Sequence, residues 1–324
     1  MTLTVALQMD PVESIDIDAD SSFVLGLEAL RRGHELYHYL PRHMSFTGSD
    51  GDVRVRAHTR TLALRREKGN HAMLGDSETR DLAQFDVILM RQDPPFDMAY
   101  ITATHMLEHI HPATLVVNDP VEVRNAPEKL FVSHFGNLMP PTLISADGGE
   151  IAAFRAEHKD IIVKPLFGNG GAGVFHLSPD DENLSALIEM FTTQSREPII
   201  VQRYLPQIRK GDKRIILIDG EAAGGLIRVP AAGEARANLH AGAGAERAEL
   251  TARERQICAR IGPALKKRGL IFAGIDVIGD YLTEINVTSP TGLQEINRFD
   301  GLAGGDTLEA RIWDAIEKRH KETR

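Results

Sequence analysis

The stretch GIDVIGDYLTEINVTSP, residues 274–290, constrains this chain more than any other part of it. Two runs rich in aliphatic and β-branched residues flank Gly279-Asp280, a turn signal, and together they read as a hairpin. Inside those apolar runs stand Asp276, Glu284 and Asn286, and a carboxylate in apolar surroundings needs a partner. Strict alternation puts Leu282, Glu284 and Asn286 on one face of the second strand and Thr283, Ile285 and Val287 on the other. A two-residue turn then pairs Asp276 with Thr283 and sends the carboxylates to opposite faces. One extra residue pairs Asp276 with Glu284 and Gly274 with Asn286. If these oxygens are to hold a divalent cation, the hairpin requires a three-residue connection or a bulge. The alternative is a hairpin with scattered polar side chains facing solvent.

Composition narrows the setting. With 324 residues, 42% of them hydrophobic and 26% charged, the chain has the balance of a soluble globular enzyme of two or three compact units. A net charge of −9 argues against nucleic acid as the main partner, so any anion must be met by local positive charge such as RYLPQIRKGDKR, residues 203–214. The opening MTLTVALQMDP lacks a basic start and breaks at Asp10-Pro11, and no run approaches ~18 apolar residues. The expectation is no membrane span and a cytoplasmic location. Cys258, the single cysteine, excludes an internal disulfide and falls in a helical pattern as a packing residue.

The first third alternates strand and helix. Strand signals occur at Leu3–Met9, ELYHYL, FDVILM and TLVV, with a helix capped by Asp20 or Ser21, carrying Phe23, Leu27 and Leu30 on one face and stopping at Gly33, and a second helical pattern from Asp97 to Ile110. This predicts a mostly parallel sheet, with ligands gathering at its strand C-terminal ends near Asp10 and Arg91 to Asp97. The Asp-Pro pairs there read equally as turn chemistry. After about Pro120 the pattern becomes helix, strand, glycine loop, strand and hairpins, one of them turning at Asp219-Gly220. Residues 230–246, rich in Ala and Gly without periodicity, read as a long loop, either a lid or an ordinary surface loop.

Within DIIVKPLFGNGGAGVFHLS, Gly168, Gly170 and Gly173 have the spacing of a dinucleotide fingerprint, yet β-like Val174 to Leu177 follows where that motif demands a helix. Strand, glycine loop and strand instead describe a flap whose backbone N–H groups can close over phosphates, with Lys164 beside them. A plain Gly-rich hairpin is the alternative. A triphosphate needs Mg²⁺, a hard cation that oxygen donors such as Asp276, Glu284 and Asn286 satisfy. The strand IIVQRYLP ends in polar and aromatic residues before a proline, as a connection bordering an adenine does, or as a core strand and turn do. HMLEH, His105 to His109, has the spacing of an inverted zinc-protease motif, but no third ligand is evident.

EKLF, IVKPLFGNGGAGV, VQRYLP, GDKRI, GLIRVP and GLIFAGIDVIGDYLTEINVTSPTG, in this order, resemble the ATP-grasp superfamily. With MDP, DSSF, residues 54–66 and VILMRQDPPFD, nearly the whole chain is similar to the bacterial glutathione synthetases. The resemblance implies an α/β fold, with an N-terminal parallel-sheet, Rossmann-like domain over residues 1–122, a small ATP-grasp lobe with the glycine flap over 123–202 and a large lobe with the metal site over 203–324. It implies ATP as co-substrate, Mg²⁺ with Mn²⁺ as its substitute, γ-glutamylcysteine and glycine as substrates, and a homo-oligomer with neither nucleic acid nor membrane as partner.

The same resemblance assigns ATP to Lys129, Lys164, Gly170, Gly171, Gln202, Tyr204 and Leu205, and metal to Asp276, Glu284 and Asn286. Arg214 and Arg228 would neutralise an acyl phosphate, and Arg91, Arg228, Asn238 and Ser289 would meet the substrates, with Asp10 as a further peptide contact. Gln202 stands where many ATP-grasp enzymes place glutamate, and Arg203 adds charge beside the adenine edge. Two other readings share these residues: a ligase of the same scaffold with a different amine acceptor, and a nucleotide-binding regulator without turnover.

Overall fold

A computed structural model describes residues 2–168, 170–230 and 244–324. In chain order the strands are β1 (Thr4–Gln8), β2 (Glu35–Tyr39), β3 (Met44–Ser49), β4 (Asp52–Leu64), β5 (Ala72–Asp81), β6 (Val87–Met90), β7 (Leu115–Val117), β8 (Thr142–Ser145), β9 (Ile161–Pro165), β10 (Phe175–Leu177), β11 (Ile199–Arg203), β12 (Asp212–Ile218), β13 (Glu221–Val229), β14 (Gly244–Arg247), β15 (Phe272–Ile278) and β16 (Tyr281–Asn286). The helices are α1 (Ser21–Arg31), α2 (Met98–Glu108), α3 (Pro120–Arg124), α4 (Gly148–His158), α5 (Leu184–Gln194), α6 (Ala252–Lys267), α7 (Leu293–Asp300) and α8 (Leu308–Thr323). Among the described residues no helix is long and apolar enough to cross a membrane.

Three sheets divide the strands. The N-terminal sheet runs β3-β4-β2-β1-β6-β7, with β5 also on β4. Its β2-β1-β6-β7 part is parallel as expected. The other three strands, β3, β4 and β5, join antiparallel and extend the sheet beyond the parallel core. Their charged outward residues, as in DVRVRAHTRTLAL, belong to a ribbon whose outer face meets water, so no continuous apolar run marks them. The second sheet, β10-β9-β11-β8, and the third, β14-β13-β12-β15-β16, are antiparallel throughout.

Local chemistry explains the elements that frame the cleft. Asp20 caps α1 by accepting from the Phe23 N–H at 2.6 Å, Asp97 caps α2 through the Tyr100 N–H at 2.9 Å, and Thr251 with Glu254 forms a capping box on α6. Phe23 is buried on α1, whereas Leu27 and Leu30 are half-buried and the helix buries Val24, Leu25 and Ala29 instead. The two-residue turn at Asp219-Gly220 has φ of 47° and 84°, as hairpin turns of this length require.

The cores show how the sheets are coupled. One apolar cluster joins Ala6, Ile88 and Val116 of the first sheet to Ile215, Ile275 and Ile285 of the third. Another joins Val5, Leu7 and Leu89 to Ile216, Ile218 and Trp313 of α8. Trp313 is fully buried and its Nε1 donates to the Leu25 carbonyl at 2.8 Å, which locks α8 onto α1. Asn118, at the end of β7, reaches across with Nδ2 to the carbonyls of Phe272 and Val287 at 2.7 and 2.9 Å and accepts from the Phe272 N–H at 2.9 Å. The second sheet has a separate core of Ile151, Ile161, Val163, Leu187 and Val201.

The turn between β12 and β13 lies against α6 so closely that a Cβ at Gly262 would sit 2.0 Å from the Gly220 carbonyl oxygen. Gly262→Ala should therefore destabilise the protein by about 1–3 kcal/mol in denaturant unfolding, the range for overpacking a filled interior. Gly305→Ala, where a Cβ would meet nothing within 4 Å, should change it by less than about 0.5 kcal/mol.

Candidate active site

The hairpin of β15 and β16 resolves the register question. It keeps a two-residue turn, Ile278 opposite Tyr281, and carries a bulge further along: Val277 faces Leu282, Asp276 faces Glu284, and Thr283 is the additional residue. Gly274 consequently lies opposite Asn286, so both carboxylates reach one face. The Thr283 hydroxyl donates to the Asp276 carbonyl at 3.0 Å and pins the bulge. Strict alternation fails at this point. Leu282 joins Ile285 and Val287 in the apolar cluster, while Thr283 lines the cleft with Glu284 and Asn286.

That cleft, about 1050 Å³, is walled by all three sheets. At its centre lies a buried charge cluster. Arg214, opposite Asp276 in the β12–β15 ladder, donates from Nε and Nη2 to both Asp276 oxygens, at 2.5 and 2.9 Å. Arg228 approaches Asp276 Oδ2 at 3.0 Å and donates to Asp212 Oδ2 at 2.5 Å, and Asn286 Nδ2 lies 3.3 Å from Asp276 Oδ2. Burial opposes ionisation of Asp276, but Arg214 and Arg228 outweigh it and hold the carboxyl well below the usual carboxylate range. Burial likewise opposes the Arg228 cation, while Asp212 and Asp276 keep it firmly charged.

Glu284 lines the cleft, with Lys164 Nζ at 3.4 Å and Lys129 Nζ at 3.8 Å. Lys129 also pairs with Glu128 and donates to the Gly168 carbonyl at 2.6 Å, so one ammonium bridges the hairpin and the glycine loop. That loop joins β9 to β10, the strand, loop and strand order expected, with Gly170, Gly171 and Gly173 at φ of 61°, 79° and 69°. This left-handed region favours glycine, which explains the residue choice.

At the other end of the nucleotide-sized space, Gln202, Tyr204 and Leu205 line the wall. Gln202 Nε2 donates to Thr142 Oγ1 at 3.0 Å, and the Tyr204 ring stacks on His176 with centroids 4.0 Å apart. Arg203 also lines the cleft and donates to the Tyr281 hydroxyl at 3.1 Å.

The remaining expected residues divide. Ser289 lines the cleft at φ 42°, in a conformation non-glycine residues rarely take, and its hydroxyl donates to the Gln92 carbonyl at 2.7 Å. Asp10 lines the cleft and accepts from the Asp93 N–H at 2.8 Å. Arg91 is not part of the lining: it is buried, with Nε on Ser22 Oγ and Nη2 on the Pro290 carbonyl, both at 3.0 Å, and its guanidinium over Phe272. Asn238 and most of the 230–246 loop lie outside the described residues. His105 pairs with Glu108 and His109 packs on Phe46, and among the described residues no group of three or more His, Cys, Asp or Glu side chains has metal-ligand placement.

Two carboxylates in the charge cluster escaped the sequence reading. Glu128 and Asp212 were in view only within the strings EKLF and GDKRI, where a lone acid beside a lysine reads as an exposed pair. Burial, reinforced by Glu284 against Lys129, pushes Glu128 up to about 7. Burial pushes Asp212 up to about 7 as well, with Arg228 pulling the other way. Among the described residues, buried Asp212 Oδ1 and Arg228 Nε have no hydrogen-bond partner. The donor set is one of hard oxygens, Asp276 and Glu284 with the Asn286 amide, and among the described residues the ion pairs of Glu284 are long ones, to two lysines. It fits a hard divalent cation shared with phosphate oxygens.

Two family models match successive parts of the chain. Residues 3–124 match the family model described as the prokaryotic glutathione synthetase N-terminal domain, and residues 128–301 match that of the prokaryotic glutathione synthetase ATP-grasp domain. The glutathione synthetase of Mesorhizobium japonicum is 58% identical over 99% of this chain and all of its own length. That of Brucella melitensis is 58% identical over 98% of this chain and again its whole length. Among solved structures, D-cycloserine synthetase DcsG superposes with a TM-score of 0.66 over 98% of this chain and 99% of its own, at 15% identity, a likeness of fold alone.

The raised pKa values of Glu128 and Asp212 give a pH test of the ligand-free protein. Both lie above the ~4 of an unfolded carboxyl, so the folded state binds more protons between about pH 4 and 7 and these groups lower stability as pH rises through that window. Asp276 acts with the opposite sign, and only below about pH 4, because its folded value is depressed. A divalent cation relieves the charge that appears at high pH. Mg²⁺ titrated calorimetrically should bind roughly 10-fold more tightly at pH 8 than at pH 5.5. Equal or weaker binding at pH 8 contradicts the placement.

Proposed function

Because this chain belongs to the prokaryotic glutathione synthetase family, we propose that it joins γ-glutamylcysteine to glycine by way of an acyl phosphate, consuming ATP. It is an ATP-grasp ligase, and small molecules are its substrates. The observation that carries the finer reading is the bulged hairpin, which sets Glu284 beside two lysines, one of them tied to the glycine loop, and Asn286 beside Asp276, itself held by two buried arginines.

In this reading residues 1–122 contribute the peptide-binding wall, 123–202 the nucleotide cover and 203–324 the phosphate and metal floor. Lys129 and Lys164 take the ATP phosphates, the backbone around Gly170 and Gly171 closes over them, and Gln202, Tyr204 and Leu205 border the base. Asp276, Glu284 and Asn286 would hold Mg²⁺, or Mn²⁺ in its place, which would neutralise charge on the phosphates.

The cysteinyl carboxylate attacks the γ-phosphorus, breaking the bridging P–O bond to ADP. Glycine then attacks the acyl carbon through its neutral amine, expelling phosphate and losing a proton as the amide forms. Phosphoryl transfer of this kind depends on positioning and charge neutralisation more than on covalent chemistry by the protein. Arg214 and Arg228 are suited to the anionic carbonyl and phosphate oxygens, because a planar fork meets an oxyanion at two points. To do so they must loosen from Asp276, their partner in the ligand-free state. Ser289 stands near the amine acceptor, and Asn238 is retained as a substrate contact. Arg91 acts behind the surface, holding Pro290 and Ser22 in place. The setting we infer is cytoplasmic, where ATP and reduced thiols are available, and the assembly a homo-oligomer.

Phosphate release should require γ-glutamylcysteine and an amine together, with glycine preferred; comparable rates with unrelated amines would point to another acceptor. Glu284→Gln should leave the melting temperature nearly unchanged and lower kcat by roughly 10²–10³-fold, since several kcal/mol of charge compensation is lost. An unchanged kcat at saturating Mg²⁺ rejects the assignment.

A further inference from the structure

The cleft has two poles. Its cations, Lys129, Lys164, Arg214 and Arg228, gather around Asp276 and Glu284. The wall contributed by the N-terminal sheet and α7 is acidic instead, with Asp10, Asp16, Asp20, Asp93 and Glu295 in its lining. Between the poles runs the segment 288–292, whose Gly292 stands close to the Arg214 side chain.

Glu295 departs from the rest of that wall. The residue is 7% exposed, and its Oε2 is buried without a hydrogen-bond partner among the described residues. Burial accordingly pushes its pKa up, its own backbone N–H and the more distant Arg298 offering only partial compensation, while Asp16 adds repulsion. A glutamate in the first turn of a helix is ordinarily explained by the helix dipole. Within this chain Glu254 is the control for that explanation. It occupies the same third position of α6, is 5% exposed, and its Oε2 accepts from Lys213 Nζ at 2.8 Å and from the Thr251 N–H at 2.7 Å. Glu295, behind an N-cap glycine that has no side chain, has neither a capping box nor a lysine. A buried carboxylate oxygen left unpaired is costly, and its retention beside two further acids in a ligand cleft points to a cation that arrives with the ligand.

We propose that Glu295, flanked by Asp16 and Asp20, forms the subsite for the primary ammonium at the glutamyl end of the peptide substrate. This deepens the proposed function and rests on it. γ-Glutamylcysteine carries its reactive carboxylate at one end and a free α-ammonium at the other. With the carboxylate at the arginine pole, the ammonium meets the acidic one. Glycine also has an ammonium, but its nitrogen must reach the acyl carbon at the arginine pole, so it does not compete for this subsite.

The test compares γ-glutamylcysteine with N-glutarylcysteine, which lacks only the α-amino group, in wild type and in Glu295→Gln, each with full KM measurements for ATP and glycine. Wild type should favour the amine-bearing peptide in kcat/KM by roughly 10–100-fold, the worth of one charge-assisted hydrogen bond. E295Q should lose that preference by weakening γ-glutamylcysteine alone, with less than about a 3-fold change for N-glutarylcysteine, ATP or glycine. Equal use of both peptides by wild type overturns the subsite whatever the variant does. An equal loss on both peptides in E295Q, a shift in the ATP or glycine KM instead, or an unchanged preference also overturns it, and an equal loss returns Glu295 to a role in helix packing. No phosphate release by wild type with γ-glutamylcysteine and glycine would defeat the functional reading itself, and the subsite with it.

Discussion

The unpaired residue at Thr283 is the constraint on which the cleft depends. In an unbroken antiparallel ladder the turn at Gly279-Asp280 would oppose Asp276 to Thr283, and Glu284 would lie on the far side of the sheet. The bulge restores Asp276 to Glu284 while Leu282, on its turn side, stays opposite Val277 in the apolar cluster. Apolar packing and polar placement are thus reconciled by one irregularity: without it Glu284 would share the apolar face of Leu282. Bulges commonly stand beside active sites because they re-aim one side chain without disturbing the rest of the sheet.

The cleft is held together by its own charged side chains. Arg214 and Arg228 lie on Asp276, Lys129 and Lys164 face Glu284, and Lys129 also grips the Gly168 carbonyl. Each cation intended for an anionic ligand has an internal carboxylate or carbonyl as a stand-in, which prevents the cost of leaving buried charge uncompensated. Binding therefore exchanges partners rather than creating pairs from nothing. The net gain is smaller than a count of contacts implies, and selectivity comes from which anion can replace the internal ones with better geometry.

Much of this was legible in residue patterns. Strand, glycine loop and strand around Gly168 to Gly173, the Asp219-Gly220 turn, the four parallel strands and the need for an extra residue in the β15–β16 hairpin all follow from period and turn chemistry. The position of that extra residue was not legible, because a bulge and a longer turn satisfy the same pairing requirement. The β3–β5 ribbon was missed because its exposed face carries charge where a core strand would not. Asp212 and Glu128 were missed because burial is a property of the assembled cleft: each stands beside a lysine at the margin of an apolar run, and its seclusion comes from elements distant in sequence. Arg91 illustrates the converse. Its place at a strand C-terminal end suggested a ligand contact, whereas assembly directs its guanidinium onto Ser22 and Pro290.

The separation of cores gives the cleft its mechanical character. The first and third sheets share two apolar clusters and are bridged by Asn118, so the acidic and arginine poles are carried on one continuous body. The second sheet has its own core, and across the cleft its lysine meets the third sheet through the Lys164–Glu284 pair, while Lys129 reaches the Gly168 carbonyl of the glycine loop. A body with its own core, joined to its neighbour by a few polar contacts, can shift without disturbing either interior, whereas sheets sharing a core cannot. On the proposed function, peptide length would be measured within the shared body, between Glu295 and Arg214, and nucleotide enclosure would belong to the body with its own core. On the proposed function, recognition of the peptide and closure over phosphate are in this way assigned to different bodies, and a change in one need not compromise the other.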